Sequence, residues 1–474
     1  MTGLLLRHVY GDHGRVVDVR TRGALIVEVG VDLAVAGERM VEGGYLLPGL
    51  HDHHLHLLAT AATADAVPCG PPDVREVDGL AAALRTAAAG SPAGQWLRGV
   101  GYHESVAGRL SREVIDTWVA DRPVRIQHRS GALWMVNSAG LAALSVAEGE
   151  LPTGVELDAQ GHPTGRLWRV DPWLRDRLGP QPGPDLAPLG RRLAGCGVTG
   201  VTDATPDLDD RALGMLIAAV AGGEIPQRVH LLGVDRLPED VPTPVRDRIT
   251  VGPRKVVLPD HDLPALDELI ARLRDIRATR RGGRAVAVHC VTRTALVLLC
   301  AALDEVGAVP GDRIEHASVV PADLLPTLRR LGATVVTQPG LVAVRGDDYL
   351  REVDPDDAPG LYRHASLLRS GIPVGLSTDA PYTAPDPWHA VDAAVERRTP
   401  SGRTLGPSER VTRQEAMDGF ATPAADPGGR PRRLAPGQPA DLCLLEVPPT
   451  AGAPPVMLTV VGGDIIHDRA ARAR

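Results

Sequence analysis

The sequence predicts an α/β fold: a (β/α)₈, TIM-like barrel with a small β-sandwich domain built from both termini and an insertion after the first barrel strand. Three observations predict it. Short apolar, β-branched runs end repeatedly in polar or ionisable side chains. Helix-like stretches, such as 263–280 and 320–332, separate several of these runs. Strand-like runs also occur at both ends of the chain, outside this alternation. Strands that alternate with helices favour a parallel sheet.

The apolar runs account for the barrel strands in chain order. They lie at 44–56, 197–205, 227–235, 253–262, 284–291, 312–318, 332–340 and 372–381. These eight runs match the number of strands in such a barrel. In this fold the chemistry lies at the carboxyl ends of the strands, which is where the histidine, lysine and aspartate side chains of these runs fall.

The remaining segments predict two additions to the barrel at 48–429. Residues 1–47 contain the strand-like runs RVVDVR, ALIVEVG and DLAVAG, and similar runs recur at 440–447 and 457–467. We therefore expect 1–47 and 430–474 to form one small composite β domain. The segment 57–196 is too long for a single connection, which predicts an inserted subdomain over about 60–195.

Composition narrows the class of protein. The formal net charge of −8 argues against a nucleic-acid binder held by phosphate contacts. No window resembles a signal peptide or a membrane span. The five cysteines are scattered and give neither a disulfide framework nor a zinc-ribbon spacing. We expect a soluble cytoplasmic protein that acts on a small molecule and binds neither nucleic acid nor membrane.

The stretch HDHHLH at 51–56 carries the strongest signal for a metal site. Side chains alternate across a strand, so His54 and His56 share one face. Two imidazoles at this spacing can bind one cation. His51 and His53 have the opposite parity, and we expect them to point elsewhere.

Later strands add four candidate ligands near their carboxyl ends: Lys255, His289, His316 and Asp379. Each alone is also consistent with a packed or capping side chain. Together they form a set of nitrogen and oxygen donors, which suits zinc or a similar first-row ion. The lack of a cysteine cluster disfavours a structural thiolate site.

Lys255 is the only lysine of the chain, although Lys and Arg together number 51. One explanation is a GC-rich coding bias that replaced the other lysines by arginine. The other is chemical: a buried lysine can lose its proton, whereas arginine stays charged. A neutral amine can react with carbon dioxide to give a carbamate, which would bridge two metal ions. No Glu or Asp occupies the candidate position on the fourth strand, so a carbamylated Lys255 would supply the bridging anion.

At this point the chain resembles the amidohydrolase superfamily of metal-dependent hydrolases. The segment PGLHDHHLH is similar to its first-strand motif, and Lys255, His289, His316 and Asp379 stand at its fourth, fifth, sixth and eighth strand positions. The segments GVTGVTDA, GDRIEHAS, STDAP, PADLCLLE and LWMVNSAGL resemble its YtcJ-like group, amidohydrolase family 3.

The resemblance implies two Zn²⁺ ions, or another divalent first-row metal. It implies His54, His56 and Asp379 around the more buried ion, and His289 and His316 around the other. Carbamylated Lys255 and a hydroxide would bridge them. Asp379 would take a proton from that nucleophile and return it to the leaving nitrogen. A mononuclear site with an unmodified Lys255 is the alternative.

Two segments of this sequence differ from the motifs of that group, and both differences bear on which substrate is bound. Ala132 stands where a histidine is expected, and Tyr102 and His103 replace the usual Trp-Asp pair. Substrate contacts are predicted from the insertion and from the segments after the seventh and eighth strands: His103, His128, Arg129, Trp134, Gln338, Arg345 and Tyr382.

The predicted activity is hydrolysis of a carbon–nitrogen bond in a small amide, N-acyl or cyclic amide compound, in the class that acts on bonds other than peptide bonds. Two alternatives stay open. The same barrel could support a metal-dependent deaminase, isomerase or decarboxylase, because fold does not fix function. A non-catalytic binding protein is the third interpretation, and it predicts missing ligands. Such barrels often pair, which suggests a homodimer.

Overall fold

A computed structural model of the chain describes residues 3–11, 14–64, 66–71, 73–92, 94–146, 151–179 and 183–472. The chain divides into two compact units. The main unit comprises Met1–Thr60 and Leu186–Arg474, and the inserted unit comprises Ala61–Asp185. None of the described helices is both long and apolar enough to cross a membrane.

The N-terminal part of the chain forms the first strands of the main unit and then the whole of the inserted unit. It opens with β1 (Leu4–Tyr10), β2 (Val16–Arg22), β3 (Leu25–Gly30), β4 (Arg39–Glu42), β5 (Tyr45–Pro48), β6 (Leu50–Leu55) and α1 (Leu57–Thr63). Next come β7 (Val67–Pro68), α2 (Val77–Gly90), β8 (Leu97–Tyr102), α3 (Glu104–Ala107), α4 (Arg112–Asp116), β9 (Val124–His128) and β10 (Leu133–Val136). The inserted unit ends with α5 (Ser138–Ala143), β11 (Val155–Leu157), β12 (Pro163–Trp168) and α6 (Asp171–Leu178).

The rest of the main unit alternates helices and strands. It runs through α7 (Ala187–Gly195), β13 (Val198–Asp203), α8 (Asp210–Ala221), β14 (Arg228–Leu231), α9 (Thr243–Arg246), β15 (Ile249–Val251), β16 (Arg254–Val257), α10 (Leu266–Ala278) and β17 (Val286–Cys290). It continues with α11 (Arg293–Val306), β18 (Arg313–His316), α12 (Leu325–Leu331), β19 (Thr334–Thr337), α13 (Gly340–Glu352), α14 (Ala365–Arg369) and β20 (Val374–Leu376). It ends with α15 (Pro387–Glu396), α16 (Arg413–Asp418), β21 (Leu442–Leu445), β22 (Val456–Val461), β23 (Asp464–Asp468) and α17 (Arg469–Arg472).

Strands from the two ends of the chain share one sheet. Its order is β23-β22-β21-β5-β1-β2-β3, and β4 pairs with β1. The junction lies between β5 and β21, which run antiparallel with Leu46 opposite Leu444. Alternating apolar residues of both ends, such as Leu6 and Leu458, pack into one cluster. Residues 1–48 and 442–468 therefore depend on each other for burial of their apolar face. The expectation of a second, facing sheet stays a prediction.

The predicted barrel strands lie in two parallel sheets. One has the order β15-β14-β13-β6 and the other the order β16-β17-β18-β19-β20. Their residues are almost all buried, as expected for parallel strands covered on both faces. The predicted run 253–262 corresponds to β16, which follows β15 after a break at Gly252 and Pro253. The coarser prediction, an α/β fold with parallel strands and intervening helices, is confirmed.

Hydrogen bonds join the edges of these two sheets. The Lys255 amide donates to the Leu232 oxygen at 2.9 Å, next to the ends of β16 and β14. At the other edge, the Asp379 amide donates to the His54 oxygen at 2.8 Å and the His56 amide donates to the Ala380 oxygen at 2.9 Å. The second pair brings the carboxyl ends of β6 and β20 together.

The inserted unit has its own sheet and its own core. Its strands have the order β11-β12-β10-β9-β8-β7. One face carries an apolar cluster that includes Leu97, Ile126 and Met135. The other face carries a second cluster around Trp134 and Leu167.

Candidate metal centre

His54 near the end of β6 and His56, which directly follows the strand, point to the same place. His54 is buried and His56 is partly exposed. One ring nitrogen from each histidine and one carboxylate oxygen of Asp379 all lie within 4.8 Å of one another. Three such atoms could bind one metal ion. The parity of the strand puts these two rings on one face, as the sequence predicts.

Asp379 follows β20 and brings the carboxylate. Its Oδ1 lies 3.6 Å from His54 Nε2 and 3.4 Å from His56 Nε2. This oxygen is buried and makes no hydrogen bond within the described chain. Asp379 has a φ of 56°, a left-handed conformation that non-glycine residues rarely adopt. Such strain is common at functional sites, where the surrounding structure fixes it.

His289 and His316 extend the cluster. The ring of His316 lies 4.8 Å from that of His54 and 4.5 Å from that of His289, between centroids. His316 Nδ1 is 3.8 Å from Asp379 Oδ2. Burial lowers the pKa of His289 to about 3, and nearby Lys255 adds to this effect. Burial, with the neighbouring His289, also holds the pKa of His316 well below its usual value. Both rings are therefore neutral and can offer a lone pair to a metal.

Lys255 lies on β16 with 3% of its surface exposed. Its Nζ has no hydrogen-bond partner in the described residues. Burial lowers the pKa of the amine to about 8, although Glu315 and Asp379 act in the opposite direction. The neutral amine, which is the form that reacts with carbon dioxide, is therefore more accessible near neutral pH than in an ordinary lysine.

The residues present fit a divalent metal ion. The donor set is imidazole nitrogen and carboxylate oxygen, which suits zinc and similar ions. Two buried polar atoms, Asp379 Oδ1 and Lys255 Nζ, lack partners in the described chain. Buried polar atoms in native proteins are nearly always satisfied, so a ligand is expected at this point. A divalent metal dependence is thus implied, whereas the identity and number of ions stay predictions.

Three of the candidate histidine ligands, His54, His56 and His316, each have Nδ1 close to a polar side chain that can hold the ring. His54 Nδ1 donates a hydrogen bond to Glu315. His56 Nδ1 lies 3.2 Å from Thr205 Oγ1. His316 Nδ1 donates to Gln338 Oε1 at 2.8 Å. Bonds of this kind fix the tautomer and orientation of a metal-binding imidazole.

Glu315 and Arg313 are functional residues that sequence reasoning missed. Arg313 Nε donates to Glu315 Oε1 at 2.7 Å, and Arg313 Nη2 donates to the His53 oxygen at 2.7 Å. Both side chains are almost completely buried. Burial by itself raises the pKa of Glu315, but Arg313 and Lys255 outweigh it and the net shift is downward. Glu315 is therefore an ionised partner of His54. The segment RIEH contained the signal, since Glu315 directly precedes His316.

Asp52 is a third residue that sequence reasoning missed. Its carboxylate accepts hydrogen bonds from the Thr378 amide at 3.0 Å and from Thr378 Oγ1 at 2.5 Å. It thereby connects β6 to the segment that precedes Asp379. Burial raises the pKa of Asp52 to about 7, against the effect of these hydrogen bonds.

His51 and His53 lie outside the cluster. His51 Nε2 is 2.9 Å from Thr202 Oγ1, and His53 Nε2 is 2.8 Å from Thr422 Oγ1. Both rings are fully buried, and burial holds the pKa of each well below its usual value. They pack at a centroid distance of 4.6 Å.

Three predicted substrate contacts lie in the main unit. Gln338 is fully buried; besides His316, it bonds Ser377 Oγ at 3.0 Å. The Tyr382 ring lies 6.0 Å from that of His56, and the Arg345 guanidinium lies 5.9 Å from the Tyr382 ring. Tyr382 is therefore next to His56, and Arg345 is next to Tyr382. Both Tyr382 and Arg345 are partly exposed.

The other predicted contacts lie in the inserted unit. His103 Nδ1 caps α3 by accepting from the Ser105 amide at 3.3 Å. His128 Nε2 bonds Glu104 at 3.0 Å, and its ring is 6.0 Å from that of His103. The Arg129 amide donates to the Tyr102 oxygen at 2.8 Å. Trp134 is buried in the unit's own core, which gives it a packing role there.

Comparison with known proteins places the chain in a family. The amidohydrolase family model matches residues 41–467. A curated relative is the N-substituted formamide deformylase of Arthrobacter pascens, 24% identical over 87% of this chain and 86% of its own. Another is the protein LONG AFTER FAR-RED 3 of Arabidopsis thaliana, 23% identical over 85% of this chain and 78% of its own.

A solved structure shares the fold. It is that of an uncharacterized metal-dependent hydrolase from Pyrococcus horikoshii OT3, with a TM-score of 0.73 and 20% identity over 98% of this chain and 100% of its own. The chain belongs to the amidohydrolase family, as its sequence predicts. It is accordingly a hydrolase of the class that acts on carbon–nitrogen bonds other than peptide bonds.

Proposed function

We propose that this protein hydrolyses a carbon–nitrogen bond of a small amide, N-acyl or cyclic amide compound in a metal-dependent reaction. The observation that carries the proposal is the buried group of His54, His56 and Asp379, next to a buried Lys255 without a partner in the described chain. A structural role alone would not require two unsatisfied polar atoms in one buried cluster.

The roles follow from the contacts. His54, His56 and Asp379 would hold one ion, and His289 and His316 a second. When bound, such ions supply a Lewis acid that makes a water molecule more acidic and polarises a carbonyl oxygen. Asp379 would take a proton from the attacking water and deliver it to the leaving nitrogen. Its Oδ1 faces both histidines and would bind the ion, which would leave Oδ2 for this transfer.

Lys255 is proposed to be carbamylated and to be shared by two zinc ions. The amine is buried, its pKa is lowered to about 8, and no second lysine exists in the chain. Carbamylation would turn an unpaired buried amine into a carboxylate between the two groups of imidazoles. Gln338 would orient His316, while Arg345 and Tyr382 would meet the substrate.

The architecture proposed with this function is one closed barrel. The hydrogen bonds between Asp379 and His54 and between Lys255 and Leu232 support closure at both edges. The domain division of the sequence analysis, the cytoplasmic location, the homodimer and the substrate roles of His103, His128, Arg129 and Trp134 stay predictions.

The first test is metal content per chain after loading with zinc and bicarbonate and removal of excess metal. About two equivalents are expected if Lys255 forms a carbamate bridge. One equivalent would remove the bridge but keep a metal-dependent hydrolase. No bound metal would overturn the proposal and favour a binding protein.

The second test is product analysis on a substrate panel with the zinc-loaded protein. The panel starts with N-substituted formamides, because a curated relative carries that name, and adds N-acyl amines and cyclic amides. Release of an amine and an acid, absent in the Asp379→Asn protein, is expected. Release of ammonia from an amidine or an aminopyrimidine, without amide cleavage, would contradict the proposal and indicate a deaminase. Isomerised or decarboxylated products would contradict it as well and indicate an isomerase or a decarboxylase.

A further inference from the structure

A pair of arginines lies side by side on the sheet of the inserted unit. Arg98 on β8 and Arg125 on β9 are register partners on neighbouring parallel strands. Leu97 and Ile126 point into the apolar cluster on one face of this sheet. Because side chains alternate along a strand, Arg98 and Arg125 lie on the opposite face.

Two tryptophans line the same place. The Arg125 guanidinium carbon lies 5.4 Å from the centre of the Trp134 ring and 5.8 Å from that of Trp96. The Arg98 guanidinium carbon lies 6.0 Å from the same Trp134 ring. Both arginines are partly buried, and their Nε atoms are fully buried.

The hydrogen-bonding capacity of this pair is almost unused. Neither Nε has a partner within the described chain. Arg98 Nη1 donates to the Ala62 oxygen at 2.8 Å. Arg125 has five N–H donors, and none of them reaches an acceptor in the residues that the structure describes.

The charge of the pair is equally uncompensated. Among the described residues, no carboxylate lies within 4.0 Å of either guanidinium. Asp171, close by, accepts instead from Trp134 Nε1 at 3.0 Å. Burial lowers the pKa of Arg125 to about 10, and Arg98 adds to this effect. Partly buried cations without an anion are unfavourable, and proteins normally pair them.

Stacking on tryptophan does not explain the arrangement, as two other pairs in this unit show. Arg177 stacks on Trp173 at 5.5 Å and also donates to the oxygens of Leu144 and Ser145. Arg166 stacks on Trp168 at 5.5 Å and pairs with Glu156 at 3.4 Å. A cation–π contact uses the face of the guanidinium and leaves its edge donors to other partners.

We propose that Arg98 and Arg125, together with Trp96 and Trp134, form a binding site for a small molecule that carries an oxyanion. The guanidinium edges would hold the oxygens of a carboxylate or a phosphate, a geometry that arginine fits in a bidentate manner. The partly exposed indole ring of Trp96 would pack against an apolar part of the ligand, while buried Trp134 would position the two guanidinium groups. This site lies wholly within the inserted unit and does not depend on the proposed hydrolysis.

The test uses the full-length protein and two probes, benzoate and inorganic phosphate, with binding measured by titration calorimetry. Arg125→Gln removes the positive charge and most donors but keeps a polar side chain, and exposed Arg175→Gln is the matched control. We expect Arg125→Gln to weaken binding about tenfold or more and Arg175→Gln to leave it unchanged. Preparing all three proteins without metal keeps benzoate from binding at the metal centre.

The outcomes separate the sources of the oxyanion. Tighter binding of benzoate than of phosphate assigns an organic carboxylate, and the reverse assigns a phosphate ligand. Binding of benzoate and phosphate that is no tighter than that of chloride would overturn the proposal. Binding that Arg125→Gln does not weaken would overturn it as well. If Arg125→Gln does not fold, Arg125→Lys replaces it, since a lysine keeps the charge but loses the paired donors. Quenching of tryptophan fluorescence by benzoate in the unmodified protein is expected, and its absence would also overturn the proposal.

Discussion

Strand β6 and the residue that directly follows it carry two pairs of histidines whose surroundings differ. His54 and His56 face a carboxylate oxygen of Asp379 at 3.6 and 3.4 Å. His51 and His53, one residue out of phase, face the hydroxyls of Thr202 and Thr422. One residue type at adjacent positions of one strand thus yields a candidate metal centre on one side and internal packing on the other.

The partner groups, rather than burial, decide the role of each histidine. All but His56 are buried, so burial does not separate the pairs. A buried neutral imidazole binds a metal only where other donors converge with it. His54 and His56 meet such donors from the strands that carry His316 and Asp379, whereas His51 and His53 each satisfy one nitrogen with a threonine. Five substitutions test this contrast.

The largest effect is expected from His54→Asn. The loss of a ring that faces Asp379 should abolish tight metal binding and turnover together, with metal content by elemental analysis as the measurement. The reduction should exceed the roughly 10- to 100-fold loss typical of a group that only supports a ligand. A variant that keeps full metal content would remove His54 from the set of ligands.

Asp379→Asn should leave metal binding largely intact, because an amide oxygen keeps the position of Oδ1, but it cannot accept the proton. We expect turnover to fall by about 10²- to 10⁴-fold. Initial rates with a panel substrate, at equal metal content of both proteins, measure this. Near-normal turnover would assign the proton transfer to another group.

Lys255→Arg keeps a positive charge but cannot form a carbamate. Metal content should fall from about two equivalents to one. In the unmodified protein, ¹³C-labelled bicarbonate should give a lysine carbamate carbon signal in the NMR spectrum, and only Lys255 can give it, since the chain has a single lysine. The signal should be absent from Lys255→Arg. An unchanged metal content would show that Lys255 is not a bridge.

Glu315→Gln tests the support behind His54. The amide should accept the hydrogen bond from Nδ1 less strongly, and metal affinity should drop about 10- to 100-fold. Competition with a chelator measures the affinity, and the absorption spectrum of the cobalt-loaded protein reports the ligand geometry. Glu409→Gln is the matched control, a buried glutamate that pairs instead with Arg363. Equal affinity in both variants and the unmodified protein would make Glu315 purely structural.

The smallest effect on the metal is expected from His53→Asn. It removes the bond to Thr422 and should lower the free energy of unfolding by about 1 kcal/mol. Metal content and turnover should stay unchanged within the error of the assays, and denaturant unfolding measures the stability. Loss of metal in this variant would contradict the contrast between the two faces of β6.

Much of this centre could be predicted because its ligands follow local rules. Alternation along β6 separates His54 and His56 from His51 and His53, and the apolar runs predict the ends of the later strands. Glu315 could not be found in this way. It contacts a residue 261 positions away, and it precedes His316, whose φ of 70° leaves the extended conformation and ends simple alternation.

The predicted substrate contacts stay predictions, and their neighbours show that motif position does not fix which groups a side chain contacts. Gln338 stands after the seventh strand, where a substrate contact is common, but its amide bonds His316 and Ser377. Trp134 lies in a family motif of the insertion, and its ring belongs to an apolar cluster. Whether a side chain points to the core or outward depends on the packing of distant segments, which a single sequence does not contain.

The pairing of β5 with β21 also has a consequence for synthesis. Leu46 lies opposite Leu444, so the two strands leave the ribosome about 400 residues apart, roughly 20 to 80 s at common rates of translation. During this interval the edge of β5 that pairs with β21 has no native neighbour, although β1 is available at its other edge. An open strand edge can pair with the wrong chain. The N-terminal strands of a nascent chain are therefore open to such mispairing until β21 emerges.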